Sequence, residues 1–253
     1  MEPGENGDPR KESERTMQLE RIIHSQGFGS RKECRSLIRA GYISIEGKVE
    51  TRPHADFPPE GLCFEVEGEP WRYQAKAYLM MHKPSGCECS HQPQYHPSIY
   101  SLLPWPLVTR GVQSVGRLDQ DTTGLILFSD DGQFIHTWSS GKKRTPKVYR
   151  AELAEPADSA LVERLLAGVE LTDEPGPILA AACELLDHRS IRLTVTEGKY
   201  HMVRRMIAAA GNHVTHLHRE TVGGLSLPED LAEGEWCWLE ASHQAALANW
   251  VLP

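Results

Sequence analysis

No apolar stretch in the 253 residues approaches the ~20 that a membrane-spanning helix needs, so the sequence offers no helical span. The first residues, Met1 to Thr16, are polar, mixed in charge and without an apolar run; they read as a disordered leader rather than a signal peptide. Six cysteines without secretory features point to reduced thiols and a cytoplasmic location. There is no Gly-x-Ser-x-Gly, which disfavours a serine hydrolase of the elbow type, and no internal repeat or Gly-rich phosphate loop. Cys87-x-Cys89 with His82, His91 and His96, and the set His213, His216 and His218, come nearest to a zinc signature. Neither has the paired Cys-x-x-Cys spacing that a closed site uses, and no metal is expected.

What remains is ordinary in bulk: 40% hydrophobic and 25% charged residues suit a globular protein with a proper core, one large domain or a large and a small one. The formal net charge of −8 argues at first against a polyanionic partner, but the charge is segregated. Lys142, Lys143, Arg144, Lys147 and Arg150 lie in a stretch without an acid, as do Lys199, Arg204, Arg205 and Arg219. A third cluster, between Arg21 and Arg52, holds Arg31, Lys32, Arg35, Arg39 and Lys48, whereas the acidic surplus falls in 151–196 and 220–253. Such a chain can hold a polyanion on one face.

Leu19, Ile22 and Ile23 have helical spacing, closed by Gly27-Phe28-Gly29. Ser30 with Glu33 predicts a capping box opening a second helix, with Gly41 as its left-handed stop. Ile43, Ile45 and Val49 around Glu46-Gly47 predict a hairpin. Gly- and Pro-rich punctuation then predicts a linker over 65–76. A larger domain over 77–253 follows. Its strands are expected at 77–81, after the Gly116 loop, and at 148–153, 191–195, 213–217, 222–227 and 235–239. Its helices are expected before Ser140, at 159–168, over Tyr200–Ala210 and from Ser242. Residues 87–113 carry no clear element. Strands and helices without regular alternation argue for an α+β fold with a mainly antiparallel sheet.

The most informative stretch is Gly116-Arg117-Leu118-Asp119-Gln120-Asp121-Thr122-Thr123-Gly124-Leu125, which places a carboxylate on a loop feeding an apolar strand. The downstream run Glu197-Gly198-Lys199-Tyr200-His201-Met202-Val203-Arg204-Arg205-Met206 supplies cations on a helix whose Val203, Met206 and Ile207 read as core. With Lys147-x-Tyr149 and His82-Lys83-Pro84-Ser85-Gly86, these runs resemble the signature motifs of the pseudouridine synthases, in the branch acting on small-subunit ribosomal RNA. The helix, Gly break, Ser-Arg-started helix and hairpin over 17–64 resemble an S4 RNA-binding module.

The resemblance spans about 17–253 and implies an isomerase that needs no cofactor or metal. It would convert a uridine in ribosomal RNA or a pre-ribosomal particle to pseudouridine and act as a cytoplasmic monomer. It makes Asp119 the catalytic carboxylate, Arg204 its guanidinium partner and Tyr149 the aromatic that stacks on the target uracil. Arg117 would fill the vacancy left by the flipped base or hold a neighbouring phosphate. Arg31, Lys32, Arg35 and Arg39, together with Lys83, Lys147, Arg205 and Arg219, are expected to bind RNA. Asp121, in the same loop as Asp119, is given a turn role only. Met202 stands where the family has Gln, a polar contact that His201 could replace. Two other readings stay open: the same chemistry on large-subunit RNA, and a non-catalytic ribosome-assembly factor that keeps the fold.

Overall fold

A computed structural model of the chain describes residues 16–251, so the leader expected over 1–16 lies, except for Thr16, outside the described residues. Two compact units form. One combines residues up to Ala75 with Trp105–Arg110, and the other takes Lys76–Pro104 and Gly111 onwards.

The small unit opens with β1 (Met17–Gln18), α1 (Leu19–Ser25) and α2 (Arg31–Arg39). The capping box of α2 is complete: Ser30 N donates to Glu33 Oε2 at 2.7 Å and Glu33 N to Ser30 Oγ at 3.4 Å. After Gly41, β2 (Ile43–Ile45) and β3 (Lys48–Val49) form the expected hairpin. β4 (Asp56–Phe57) pairs with β1. β5 (Cys63–Val66) and β6 (Glu69–Arg72) complete a four-stranded sheet in the order β3-β2-β5-β6.

Residues 65–76 are therefore not a linker over their first half. Glu67 and Gly68 make a tight turn with positive φ, and Pro70 sits on the edge strand, where its missing N–H takes nothing from the ladder. Leu19, Ile22, Ile23, Ile38, Ile43 and Phe64 are buried together as this unit's core. A short helix from far along the chain, α3 (Trp105–Thr109), belongs to the same unit. Trp105 packs edge-on against Phe28, and a Cβ at Gly27 would stand 2.0 Å from the Pro106 carbonyl, so only glycine permits this approach. The buried Gln26 ties the unit together by donating to Gln74 O at 3.1 Å and accepting from Gln74 N at 3.0 Å and from Arg110 at 3.2 Å.

The large unit is a nine-stranded sheet with helices. Its elements are β7 (Tyr78–Lys83), β8 (Gln113–Ser114), β9 (Thr122–Ser129), α4 (Gly132–Ser139), β10 (Lys147–Leu153), α5 (Ser159–Ala167), β11 (Ala182–Asp187), β12 (Ser190–Val195), α6 (Met202–Ala209), β13 (Val214–Val222), β14 (Leu225–Ser226), β15 (Trp236–Trp238) and α7 (Ala241–Ala248). The main order is β11-β12-β10-β13-β9-β7-β15, with β14 on β13 and β8 on β9. Every pairing is antiparallel except that of β13 with β9, which sets Leu217, His218 and Arg219 beside Thr122, Thr123 and Gly124. The fold is α+β with a mainly antiparallel sheet.

That parallel contact is tight. Gly124 has φ +108°, and a Cβ there would lie 2.3 Å from Arg219 O. The strand expected at 213–217 continues to Val222 as β13, through His218-Arg219-Glu220 with a register shift against β10. The one expected at 222–227 is reduced to the short β14 beyond the Gly223-Gly224 turn. Polar residues interrupt the apolar alternation of β13 because this strand borders a polar pocket. Helix α6 starts at Met202, two residues later than expected, because His201 adopts a left-handed backbone with φ 48°. One core joins Leu161 and Leu165 of α5 and Met206 and Ile207 of α6 with Ile191, Leu193 and Leu217 of the sheet. A second joins Met80, Leu125, Leu127, Val222 and Leu247.

Candidate active site

The loop before β9 is held from inside by a lysine. Lys83, wholly buried at the end of β7, donates from Nζ to Pro84 O at 2.9 Å, Gln120 O at 3.0 Å and Thr122 O at 2.9 Å. All three ammonium protons are spent on backbone carbonyls, two of them flanking Asp121. Lys83 is thus a loop fastener and presents no charge to RNA, contrary to the expectation for it. Burial pushes its pKa down, against the weaker opposing pull of nearby groups that include Asp121 and Asp119.

A second fastener comes from the stretch in which no element was expected. Cys89 Sγ exchanges hydrogen bonds of 3.4 Å with the backbone of Leu118, and burial pushes its thiol pKa up. Cys89 thereby works as an inert buried thiol. Among the described residues, no group of three or more His, Cys, Asp or Glu side chains is arranged to hold a metal ion.

Asp119 projects from this fastened loop with a side chain 29% exposed. Its Oδ1 lies 3.4 Å from His201 Nε2 and its Oδ2 4.0 Å from Arg204 Nε, so the loop and the start of α6 do meet. Arg204 gives its short contact elsewhere: Nη2 is 3.0 Å from Asp121 Oδ2, while Nε is buried without a hydrogen-bond partner. Asp121 is thus an ion-pair partner, not merely a turn residue. At 4 Å and an effective dielectric near 20, opposite charges attract by about 4 kcal/mol, and partial exposure of both side chains reduces that. Both carboxylates meet side chains from the start of α6. His201 takes up the contact to Asp119, and Met202, in the place of the family's Gln, is buried in the core.

Asp119, His201 and Arg204 line one pocket together with Arg117, Leu118, Trp138, Lys147, Tyr149 and Arg219. Its cavity volume is about 120 Å³, smaller than the ~300–1,000 Å³ of typical small-ligand sites, and it opens to solvent. Tyr149, half-buried on β10, sits opposite Leu193 on one side and Arg219 on the other. Lys147 shares its face of the strand and is 8% exposed. Burial, reinforced by the charge of Arg219, pushes the Lys147 pKa down to about 8. Arg219 is itself 5% exposed and donates from Nε to Leu125 O at 2.7 Å. Arg117 lies exposed at the same pocket.

Of the other residues expected to meet RNA, Arg205 bonds Tyr200 O at 3.4 Å and lies 3.7 Å from the exposed Asp173. Lys199 is bound to Glu174 at 2.7 Å and Glu197 at 2.9 Å, and these bonds raise its pKa. In the small unit, Arg35 forms an ion pair with the buried Glu20, whose pKa that contact lowers. Arg31, Lys32 and Arg39 stay exposed on α2.

Comparison with known proteins agrees with this geometry. Residues 77–209 match the RNA pseudouridylate synthase family. Ribosomal small subunit pseudouridine synthase A of Pasteurella multocida is 36% identical over 230 residues, covering 90% of this chain and 98% of that protein. The Escherichia coli protein of the same name is 36% identical over 221 residues, 87% of this chain and 95% of its own. A crystal structure described as a pseudouridylate synthase superposes with a TM-score of 0.65 at 34% identity, over 92% of this chain and all of that one. The chain belongs to the RNA pseudouridylate synthase family.

Proposed function

We propose that the protein isomerises a uridine of small-subunit ribosomal RNA to pseudouridine, with Asp119 as the catalytic carboxylate. The observation that carries this reading is the meeting of Asp119, His201 and Arg204 at a pocket also lined by Tyr149. The relatives' names supply the RNA class.

The reaction breaks the N1–C1′ bond, re-forms the link from C5 and loses the C5 proton. A uridine stacked in RNA cannot reach a recessed carboxylate, so it is extruded, at a cost of a few kcal/mol. Arg117, exposed at the pocket mouth, is suited to the gap left behind. Inside, Tyr149 supplies an aromatic face for the uracil. Asp119 then either attacks C1′ or removes a sugar proton as the base departs, and regains its starting state when C5 closes onto the sugar. Arg204 positions the carboxylate without leaving the helix.

The small unit is read as the S4-type docking module, with Arg31, Lys32 and Arg39 on its RNA side. The protein is expected to act as a cytoplasmic monomer without cofactor or metal. Purified protein with small-subunit ribosomal RNA carrying 5-tritiated uridine should release tritium, and Asp119→Asn should not. Release only from large-subunit RNA would move the substrate, and release from neither would leave an assembly factor.

A further inference from the structure

Resting on that reading, we propose that Lys147 is a further catalytic residue: its ammonium donates to a carbonyl oxygen of the flipped uracil and holds the negative charge that the ring acquires as the glycosidic bond breaks.

Three cations line the pocket deep enough to be mostly or wholly screened from solvent, and two of them are committed. Arg204 faces Asp119 and Asp121, and Arg219 is tied to the Leu125 carbonyl. Lys147 forms no hydrogen bond or ion pair with any described residue, although it lines the pocket and is more than nine-tenths buried. No acid compensates it, and the only nearby charge acting strongly on it is the like charge of Arg219. A lone buried ammonium is costly to a fold, and an unpaired one facing a pocket is a candidate functional group. Lys83, equally buried on β7, shows the contrast, since its three protons all meet carbonyl oxygens.

The chemistry supplies the missing partner. When N1 leaves C1′, the bonding pair goes to the uracil, which becomes an anion delocalised over N1, O2 and O4. This holds whether Asp119 bonds C1′ or takes a sugar proton. C5 then uses a ring electron pair to bond the sugar carbon, the C5 proton is lost, and a proton returned to the ring nitrogen balances the isomerisation. A donor fixed in a dry site where charge develops stabilises the transition state more than the ground state. A base inserted from the RNA backbone reaches Lys147 with its ring, whereas its phosphate stays nearer the mouth, beside Arg117. Lys147 and Tyr149, two residues apart on one strand face, would then hold the same ring, one at an oxygen and one at its π-face.

The test compares Lys147→Met and Lys147→Arg with the unaltered protein on small-subunit ribosomal RNA transcripts made with uridine or with 5-fluorouridine. The readout is the single-turnover rate at which the N1-linked nucleoside is consumed at saturating RNA. A C5 fluorine leaves no proton to lose after C5 closes, and N1–C1′ cleavage is the step both substrates share. Fluorine makes the ring a better-leaving anion and lessens its need for a cation. Lys147→Met should slow uridine turnover by about 10²–10³-fold, the scale of losing one such donor, and slow the fluorinated substrate markedly less. RNA affinity should stay within about twofold, since a residue acting mainly in the transition state contributes little to ground-state binding. The same substitution should raise the thermal midpoint at pH 7, because it removes an uncompensated buried charge; a structural lysine would give a fall.

In the unaltered protein, kcat/KM should drop on an alkaline limb near pH 8, and Lys147→Arg should shift that limb beyond pH 9. The other charged groups lining the pocket with Lys147 are Asp119, Glu197, Arg117, Lys199, His201, Arg204 and Arg219, and Glu197 is itself paired with Lys199 at 2.9 Å. Equal slowing on both substrates, or a loss of affinity without a loss of rate, would overturn the proposal while leaving the parent reading intact. No product from the unaltered protein would overturn both.

Discussion

Arg204 makes its short contact with Asp121, at 3.0 Å, while its unbonded Nε faces Asp119 at 4.0 Å. One guanidinium therefore serves two carboxylates of the same loop, and the nearer is not the one proposed to react. Holding Arg204 through Asp121 leaves Asp119 free to meet a sugar carbon while keeping positive charge close by. Asp119→Asn should lower turnover by about 10⁴-fold or more with RNA affinity preserved, as expected for removing a reacting carboxylate. Asp121→Asn should cost about 10-fold, since it loosens only the tether, worth roughly 1–2 kcal/mol. Single-turnover rates at saturating RNA decide it, and equal losses from the two substitutions would refute this division of labour.

Lys83 makes a different prediction. Lys83→Met keeps the volume and removes three donors from the carbonyls of Pro84, Gln120 and Thr122, of which Gln120 O keeps a bond from Gly86 N at 2.8 Å. The large unit should lose about 2–4 kcal/mol, the range for breaking a buried charged hydrogen-bond set. Activity should fall with it, because the loop that carries Asp119 loses its inner support. Urea unfolding checks the first part. A variant of unchanged midpoint would show that the loop does not depend on this lysine.

Gly124 is the residue at which β9 and β13 come nearest. Gly124→Ala would put a methyl 2.3 Å from Arg219 O with φ at +108°, a conformation that alanine adopts only with strain. A loss of about 2–5 kcal/mol is expected from strain and overpacking together. Because Asp119 and Arg219 flank the same contact, the variant should also slow catalysis at temperatures where it stays folded. Denaturant midpoints alongside folded-state rates measure both effects.

Much of this was legible in the residue pattern, and the misses share a cause. The α2 capping box, the Glu46-Gly47 hairpin and the core face of α6 follow from local rules that tertiary packing does not override. Asp119 and Arg204 could be paired only through family motifs, since 85 positions separate them in the sequence. The role of Lys83 was hidden because a basic residue beside Pro-x-Gly gives no sign of whether it points outward or into a loop. Cys89 stands in a Cys-x-Cys pair that draws attention to metal binding, whereas its partner, the backbone of Leu118, has no side-chain signature. The apolar alternation of β13 breaks at His218, Arg219 and Glu220, which ends the expected strand at 217 although the backbone continues to Val222, and that break is itself the mark of a strand bordering a site.

Histidines at the β9–β13 contact should make the fold sensitive to mild acid. His218 Nδ1 is 2.8 Å from Thr123 Oγ1, and burial, then the neighbouring His82 and His216, push its pKa below the usual 6.5, against the opposing pull of Glu220 and Glu233. A folded-state pKa below the unfolded one means that the unfolded chain binds more protons as the pH falls through 6.5. Stability should therefore decline on acidification from pH 7 to 5.5, before most carboxylates titrate. His218→Gln should flatten that decline. Thermal midpoints taken at half-unit intervals, with a slope unchanged by the substitution, would assign the sensitivity to another group.

The exposed face of α2 yields the last prediction. Arg31, Lys32 and Arg39 are open to solvent, whereas Arg35 on the same helix is held by Glu20. If this face binds the phosphate backbone, each free cation releases counterions on binding and each removal should reduce the salt slope of log K by about 0.7–0.9. Arg31→Gln and Arg39→Gln should each do so and weaken binding at low salt. Arg35→Gln should instead leave the slope nearly unchanged and lower the stability of the small unit, because it leaves the buried Glu20 carboxylate with only looser neighbours such as His54 at 3.9 Å. Affinity measured between 50 and 200 mM salt, with a parallel melt of each variant, separates the two classes. A slope that falls as much for Arg35→Gln as for the others would mean that its ion pair opens to meet RNA.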